Sequence, residues 1–241
     1  STEFLTCSYN KSYCPNMQPY NAQKTTMDMQ QIGFVSPFLG AIVADGFLGD
    51  FWTIVFGISV FYLPGLLLIA LTNFPIIFGP TFNLGAFKAG FLGFMPIGSG
   101  FISALVNVYG AKQFHPLLQA QQIGSYYTSF YTVINIGESV SGLVIPILAN
   151  KSIQVAYFIP FVAVSLGFTV FVAFSKRYVN RPPEKKTLFT TLGLIGNRVG
   201  RCKPMNASKK SQGGHLSDTF VDRVKRLLLV IPITSLIIPF S

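Results

Sequence analysis

Apolar and polar residues alternate along the chain in long blocks, and the blocks predict membrane-spanning helices. Apolar residues dominate from about Met29 to Gly49, from Thr53 to about Asn73 and from about Lys88 to Tyr109. They dominate again from about Ile123 to Ala149 and from about Val155 to Phe174. Each block approaches the ~20 residues that a helix needs to cross the hydrocarbon core. A sixth run, Leu227 to Phe240, is shorter and reads as a truncated helix.

The breaks between blocks have distinct characters. Gly110 to Gln122 is polar, and Asn150 to Gln154 is a tight turn. Asn73 to Phe87 is apolar but interrupted by Pro75, Gly79 and Pro80, which suits a loop lying at the interface. Residues 176–224 form one long hydrophilic insert with the linker compositions RPPEKK and KKSQGG. The predicted fold is all-α and transmembrane. Residues 1–28 are expected outside or in a lumen and 29–175 in a five-span bundle. Residues 176–224 are expected in a basic cytoplasmic linker, and 225–241 at the start of a sixth, truncated span.

Composition strengthens this reading. Half of the 241 residues are hydrophobic and 11% are charged, where a soluble domain is about a quarter charged. The net charge of +10 would suggest nucleic acid if it were spread over the chain. Instead, 13 of the 18 Lys and Arg lie between Lys176 and Arg226, with only Glu184, Asp218 and Asp222 among them. That region holds the whole excess, which the positive-inside rule reads as a cytoplasmic loop. No groove-reading module accompanies it, so nucleic acid is not an expected partner; the expected surroundings are a lipid bilayer.

Counting spans back from that loop places the turn at Asn150 outside and the loop around Lys112 inside. The turn at Asp50 then lies inside and the first 28 residues outside. The sequons at Asn10 and Asn150 fall outside and the one at Asn206 inside. Cys7 and Cys14 either form a short disulfide on the oxidising side or stand as two thiols. The chain opens on Ser and its first 28 residues are polar, the pattern expected of a fragment whose start lies upstream.

Polar residues inside the apolar blocks are the candidate chemistry. Asp45 and Asp50 stand in the run GAIVADGFLGDFWTIVFGIS. At a tight turn between two helices they escape the bilayer centre, where a carboxylate is costly. Asp45 can then sit near the next helix's N-terminal end, which favours an anion. In the fourth block Tyr127, Tyr131, Asn135 and Glu138 follow at spacings of 4, 4 and 3, one face of a helix. That face reads as a cavity wall: Asn135 bonding substrate, Tyr127 and Tyr131 shaping the pocket, Glu138 taking and releasing a proton. The bland alternative is a helix–helix hydrogen bond with Glu138 neutral. Ser99, Ser103 and Asn107 form a second polar stripe, read as cavity lining, beside a Gly100/Ala104 stripe read as packing. Pro64, Pro96, Pro146 and Pro160 interrupt predicted helices. No metal-ligand spacing or phosphate-binding Gly-Lys-Ser/Thr loop is present, and neither an enzyme nor a cofactor is expected.

Several motifs together resemble one family. Gly40-Ala-Ile-Val-Ala-Asp45-Gly-Phe-Leu-Gly49 with Thr53-Ile54 is similar to the first signature of the proton-coupled oligopeptide transporters, in the major facilitator superfamily. Gly98-Ser-Gly100 and Gly110-Ala-Lys-Gln113-Phe114 resemble that family's fourth helix and its Gly-Gly-Asp-Gln-Phe end. Phe130-Tyr131-Thr-Val-Ile134-Asn135-Ile-Gly137 resembles the second signature. Arg181-Pro182-Pro183 and Val221-Asp-Arg-Val-Lys225 sit where the family leaves helix 6 and enters helix 7.

The resemblance implies a partial major facilitator fold, equivalent to helices 2–6 and the start of helix 7. Helix 1, with its Glu-x-x-Glu-Arg motif, and the C-terminal half of the same transporter would be missing partners. It implies proton-coupled symport of di- and tripeptides or a related nitrogenous solute such as histidine, with the proton as coupling ion. The site would hold Asn135, Tyr131, Ser103 and Tyr127, with Glu138 as proton-coupling candidate and Asp45, Gly49 and Gly40 forming a conformational turn. The chain departs from the family at four places. Asp50 replaces a basic residue, Lys112 the acid, Ser103-Ala104 a Lys-Pro pair and Phe34 a Tyr. The exchanged charges at Asp50 and Lys112 invite pairing with each other. The rival reading is a membrane protein that does not transport, such as a receptor, a scaffold or an inactive truncated product. The expected location is a multi-pass position in the plasma membrane or a lysosomal or endosomal one.

Overall fold

A computed structural model describes residues 17–78, 82–115, 118–180, 182–183, 189–191, 193–194, 196, 208–213 and 215–226. Cys7, Cys14, the sequons at Asn10 and Asn206, and the apolar run from Leu227 lie outside the described residues. The chain divides into two compact units, Ser1–Pro183 and Glu184–Ser241.

Five helices in the first unit are long and apolar enough to cross a membrane: α1 (Pro19–Leu48), α2 (Asp50–Leu71), α3 (Leu84–Ala111), α4 (Ala120–Lys151) and α5 (Ile153–Ala173). This is the all-helical membrane fold expected from the hydropathy blocks, and a helix meets the bilayer's demand by satisfying its backbone hydrogen bonds internally. The first helix differs from its expected start. It begins at Pro19, ten residues before Met29, through a polar stretch. Ala22 and Thr25 within that stretch are buried, and Ala22 packs with Met17, Ile69 and Phe87. Packing beyond the hydrocarbon therefore carries the helix past the end of its apolar pattern.

Two spans change winding in mid-course. π-helical stretches occupy Gly57–Tyr62 in α2 and Ala89–Phe94 in α3. Pro64 and Pro96 stand within two residues of their ends. Proline has no N–H to donate and its ring crowds the carbonyl four residues back; a locally wider turn is a known accommodation. Pro146 and Pro160 lie inside continuous α-helix.

Small residues hold the bundle together. A Cβ at Gly100 of α3 would collide with the Ser36 side chain of α1, and one at Gly40 would lie 2.9 Å from the Phe101 Cα. Between α2 and α3, a Cβ at Gly98 would lie 2.6 Å from the Tyr62 backbone nitrogen, and one at Gly65 2.9 Å from that of Met95. Ser36 uses the closeness: its buried hydroxyl donates to the Pro96 carbonyl at 2.8 Å. The Gly100 stripe is thus a packing stripe.

One end of the bundle is closed by polar bonds over an aromatic layer. Gly49, at φ 80°, turns α1 into α2 and places Asp50 in the first turn of α2. Lys112, at the C-terminal cap of α3, donates its ammonium to Asp50 at 2.6 Å. The pairing invited by the exchanged charges is therefore present. Tyr109 donates to the Asn180 side chain at 2.7 Å. Gln113 accepts the Val179 N–H at 2.7 Å and donates to the Val179 carbonyl at 3.4 Å. Beneath these bonds Phe171 stacks on Tyr178 at 5.3 Å and on Phe51 at 5.4 Å. The start of α2, the end of α3 and the exit from α5 are thereby tied together.

In the second unit, residues 218–226 form a helix. Its Val221 and Val224 pack with Leu194, Leu216 and Phe220. Lys209 pairs with Asp222 at 2.7 Å, and hydrogen bonds from Ser211 hold the Asp218 carboxyl below its ordinary range.

Two outcomes follow for the chain in detergent micelles. Gly100→Val should lower stability by about 2 kcal/mol through overpacking, whereas Gly93→Val, with open space around it, should change thermal unfolding little. Asp50→Ala and Lys112→Ala should each cost about 1 kcal/mol. The exchange Asp50→Lys with Lys112→Asp should recover only part of that loss. Each reversed charge would then sit at the unfavourable end of its helix dipole, a penalty of roughly 0.3–1 kcal/mol apiece. Thermal unfolding of these three charge variants measures both terms.

Candidate functional site

The expected site residues fall into two places. The first is a groove of about 470 Å³ between α2, α3 and α5, lined by Ile58, Tyr62, Ser99, Ser103, Phe168 and other mostly apolar side chains. Ser103 is exposed there, and the Ser99 hydroxyl donates to the Pro96 carbonyl of its own helix at 3.0 Å. The groove and the Gly100 stripe are separate faces of α3: one packs against α1, the other opens toward α5.

The second place is α4, which packs against its neighbours near its ends. Tyr126 donates to the Asn107 carbonyl of α3 at 3.4 Å, and its ring lies against Gly110. Ala149 is buried near the other end. Only 6% of its most apolar stretch is buried, as in α5, against 39% in α2. Tyr127 is half-buried beside the Tyr126 ring, at 5.6 Å, while Tyr131, Asn135 and Glu138 are exposed. The structure therefore brings Tyr131, Asn135 and Glu138 to one open helix but does not bring Ser103 to them.

The polar groups of α4 are bonded mainly to its own backbone. Thr132 donates to the Thr128 carbonyl at 2.8 Å, Asn135 to the Tyr131 carbonyl at 2.8 Å and Ser139 to the Asn135 carbonyl at 2.8 Å. Ser141 donates to the Glu138 carbonyl at 3.0 Å. Such back-bonding satisfies donors that would be costly in an apolar medium. For Asn135 it occupies one of the two amide hydrogens; its side-chain carbonyl makes no hydrogen bond among the described residues. The stripe thus offers acceptors, the Asn135 carbonyl and the Glu138 carboxyl, with the Tyr131 hydroxyl one turn away.

Of the expected turn residues, Gly40 is a packing residue at Phe101 and Gly49 supplies the positive φ. Asp45 lies exposed in the π-helical stretch Ala44–Leu48 that precedes Gly49. The carboxylate in the first turn of α2 is Asp50. Reading the sequence did not single out Ser36, Tyr109 or Asn180. Ser36 is a lone hydroxyl beside a proline, and the Tyr109–Asn180 bond joins residues 71 positions apart, so hydropathy and helical spacing carry no trace of either. Among the described residues no group of three or more potential metal ligands comes together.

Comparisons with known proteins agree with this architecture. The chain is 30% identical over 200 residues to "Peptide transporter family 2" of Caenorhabditis elegans, covering 79% of this chain and 24% of that protein. It is 26% identical over 203 residues to "Solute carrier family 15 member 2" of Danio rerio, covering 81% and 28%. The chain thus spans about a quarter of the length of the curated relatives it matches. The crystal structure of the POT family transporter PepTSo superposes with a TM-score of 0.67 at 27% identity, over 80% of this chain and 36% of that one. An auto-inhibited POT family peptide transporter gives 0.70 over 99% of this chain and 55% of that one; at 23% identity this likeness concerns the fold. The profile described as the POT family matches residues 51–241, so this multi-pass membrane chain belongs to that family.

Proposed function

We propose that the protein moves small peptides across a membrane by alternating access, coupled to protons, and that this chain contributes five spans of the bundle in which the substrate is held. The observation that carries the reading is the family match over residues 51–241. The α4 stripe supports it chemically. A peptide offers an ammonium group and amide N–H donors, and the Asn135 carbonyl and the Glu138 carboxyl are acceptors for them on a helix spared from close packing. Tyr131 and Tyr127 would bound the bound backbone with aromatic faces.

Glu138 is the proposed proton carrier. Inside a membrane an ionised carboxylate is costly unless it meets water or a partner. Emptying and filling a cavity around Glu138 would therefore change its affinity for a proton. The Asp50–Lys112 pair and the Gln113–Val179 bonds would make the closed end of the bundle move as one body, as rocking transport requires. Ser103 in the α3 groove is a separate proposed contact. The reading takes the plasma membrane or a lysosomal or endosomal membrane as the site of action.

The complete protein in proteoliposomes tests this. A labelled dipeptide should accumulate with an inward proton gradient and should not accumulate without one. Asn135→Ala should reduce uptake about tenfold, the scale of a lost hydrogen bond to a buried polar partner. Glu138→Gln should abolish gradient-driven accumulation while exchange of peptide for peptide continues. Uptake indifferent to the gradient would reject proton coupling, and absent uptake would favour a receptor or scaffold.

A further inference from the structure

The helix at residues 218–226 has two chemically opposite faces. Val221 and Val224 are buried on one side, against Leu194, Leu216 and Phe220. At about 100° per residue, Thr219, Arg223 and Arg226 fall together on the other side, and all three are exposed. The carboxylates of this helix are engaged elsewhere. Asp222 pairs with Lys209 at 2.7 Å, and Asp218 accepts the Ser211 N–H at 3.3 Å. Asp222, beside Arg226 on the helix, is neutralised by Lys209, so the net charge of the outer face is that of the two guanidinium groups.

The sequence that follows the helix bears on where that face lies. Arg226 is followed directly by LLLVIPITSLIIPF. Where a run of this kind enters hydrocarbon, basic residues at its foot lie at the level of the headgroups on the positive side of the membrane. Guanidinium groups match phosphate oxygens with paired hydrogen bonds. Thirteen bases against three acids between Lys176 and Arg226 add a field that reaches roughly a Debye length, about 8 Å.

We propose that the Arg223–Arg226 face is a docking surface for anionic phospholipid headgroups. An acidic protein would meet the same charge, but it would have to reach residues that adjoin an apolar run and compete there with the lipid such a run draws around it. Docking there would fix the linker's last helix flat against the leaflet, with Val221 and Val224 still facing their own small core.

Amide hydrogen exchange of residues 218–226, measured on the full chain in lipid nanodiscs, tests the proposal. Replacing pure phosphatidylcholine with a mixture containing phosphatidylserine should slow exchange at least fivefold, the scale of about one surface-bound Arg. Raising the salt to roughly 1 M, where the Debye length falls to about 3 Å, should remove most of that protection. Arg223→Gln with Arg226→Gln should lose the response to phosphatidylserine, and Arg223→Lys with Arg226→Lys should keep most of it, which separates loss of charge from loss of fold. Equal exchange in the two lipids, or a full response by the Gln variant, would overturn the proposal. So would the same protection from a soluble polyanion added to pure phosphatidylcholine, which would mark a general acidic-partner surface instead.

Discussion

The close approach of α3 to α1 and α2 is the contact on which the rest of the first unit depends. Lipid tails are as apolar as leucine, so no hydrophobic force draws helices together once they are inserted; packing and hydrogen bonds decide. Gly100 beside Ser36, Gly98 beside Tyr62 and Gly65 beside Met95 let three backbones meet where side chains would hold them apart. Because α3 is the shared partner, its remaining surfaces inherit their positions from these contacts. Its serine stripe is thereby turned to the groove with α5, and its C-terminal Lys112 is carried to the start of α2.

The charge arrangement at that end has a physical logic of its own. A helix N-terminus carries partial positive charge and a C-terminus partial negative charge. Asp50 stands in the first turn of α2, and Lys112 caps α3. Each charge is therefore favoured by its own helix before the two attract each other. The arrangement implied by the family resemblance, with a base at the first position and an acid at the second, opposes both dipoles. This chain keeps the attraction between the two helices and removes that opposition. The Gln113–Val179 and Tyr109–Asn180 bonds extend the same end to the exit of α5, so three chain segments share one polar closure over the Phe51, Phe171 and Tyr178 rings.

Much of this was legible in the residue pattern, for identifiable reasons. Lipid imposes a minimum length and an apolar composition on each span, and those two properties survive in a one-dimensional reading. The exchanged charges at Asp50 and Lys112 were legible because each broke an expectation and the alternation of spans put both on one side. The start of α1 was not, because polar residues 19–28 are held in helix by contacts of Ala22 with Ile69 and Phe87, distant in sequence. The π-helical stretches were not, because the prolines announce a disturbed helix but not how it relaxes. Helical spacing groups Tyr127, Tyr131, Asn135 and Glu138, all four of which α4 carries in one continuous helix. It could not tell that Ser103 opens on a different groove, since spacing says nothing about how one helix is rotated against another.

The loose packing of α4 and the back-bonding of its polar side chains belong together. A helix carrying Thr128, Thr132, Asn135, Ser139 and Ser141 could not face an apolar medium with five dangling donors. Returning each to a backbone carbonyl one turn earlier lowers that cost without a neighbouring helix. The same device decides what the helix presents. The hydroxyls of Thr128, Thr132, Ser139 and Ser141 and one Asn135 amide hydrogen are bonded internally, while the Asn135 carbonyl and the Glu138 carboxyl have no such outlet, because the backbone N–H groups of a helix interior are already taken. These acceptors stand among apolar and aromatic side chains, the surface that the proposed peptide substrate would meet with its own N–H groups. A ligand bearing only acceptors could use the second Asn135 amide N–H and the Tyr131 hydroxyl, and one with an ammonium and amide donors would in addition meet the Asn135 carbonyl and the Glu138 carboxyl.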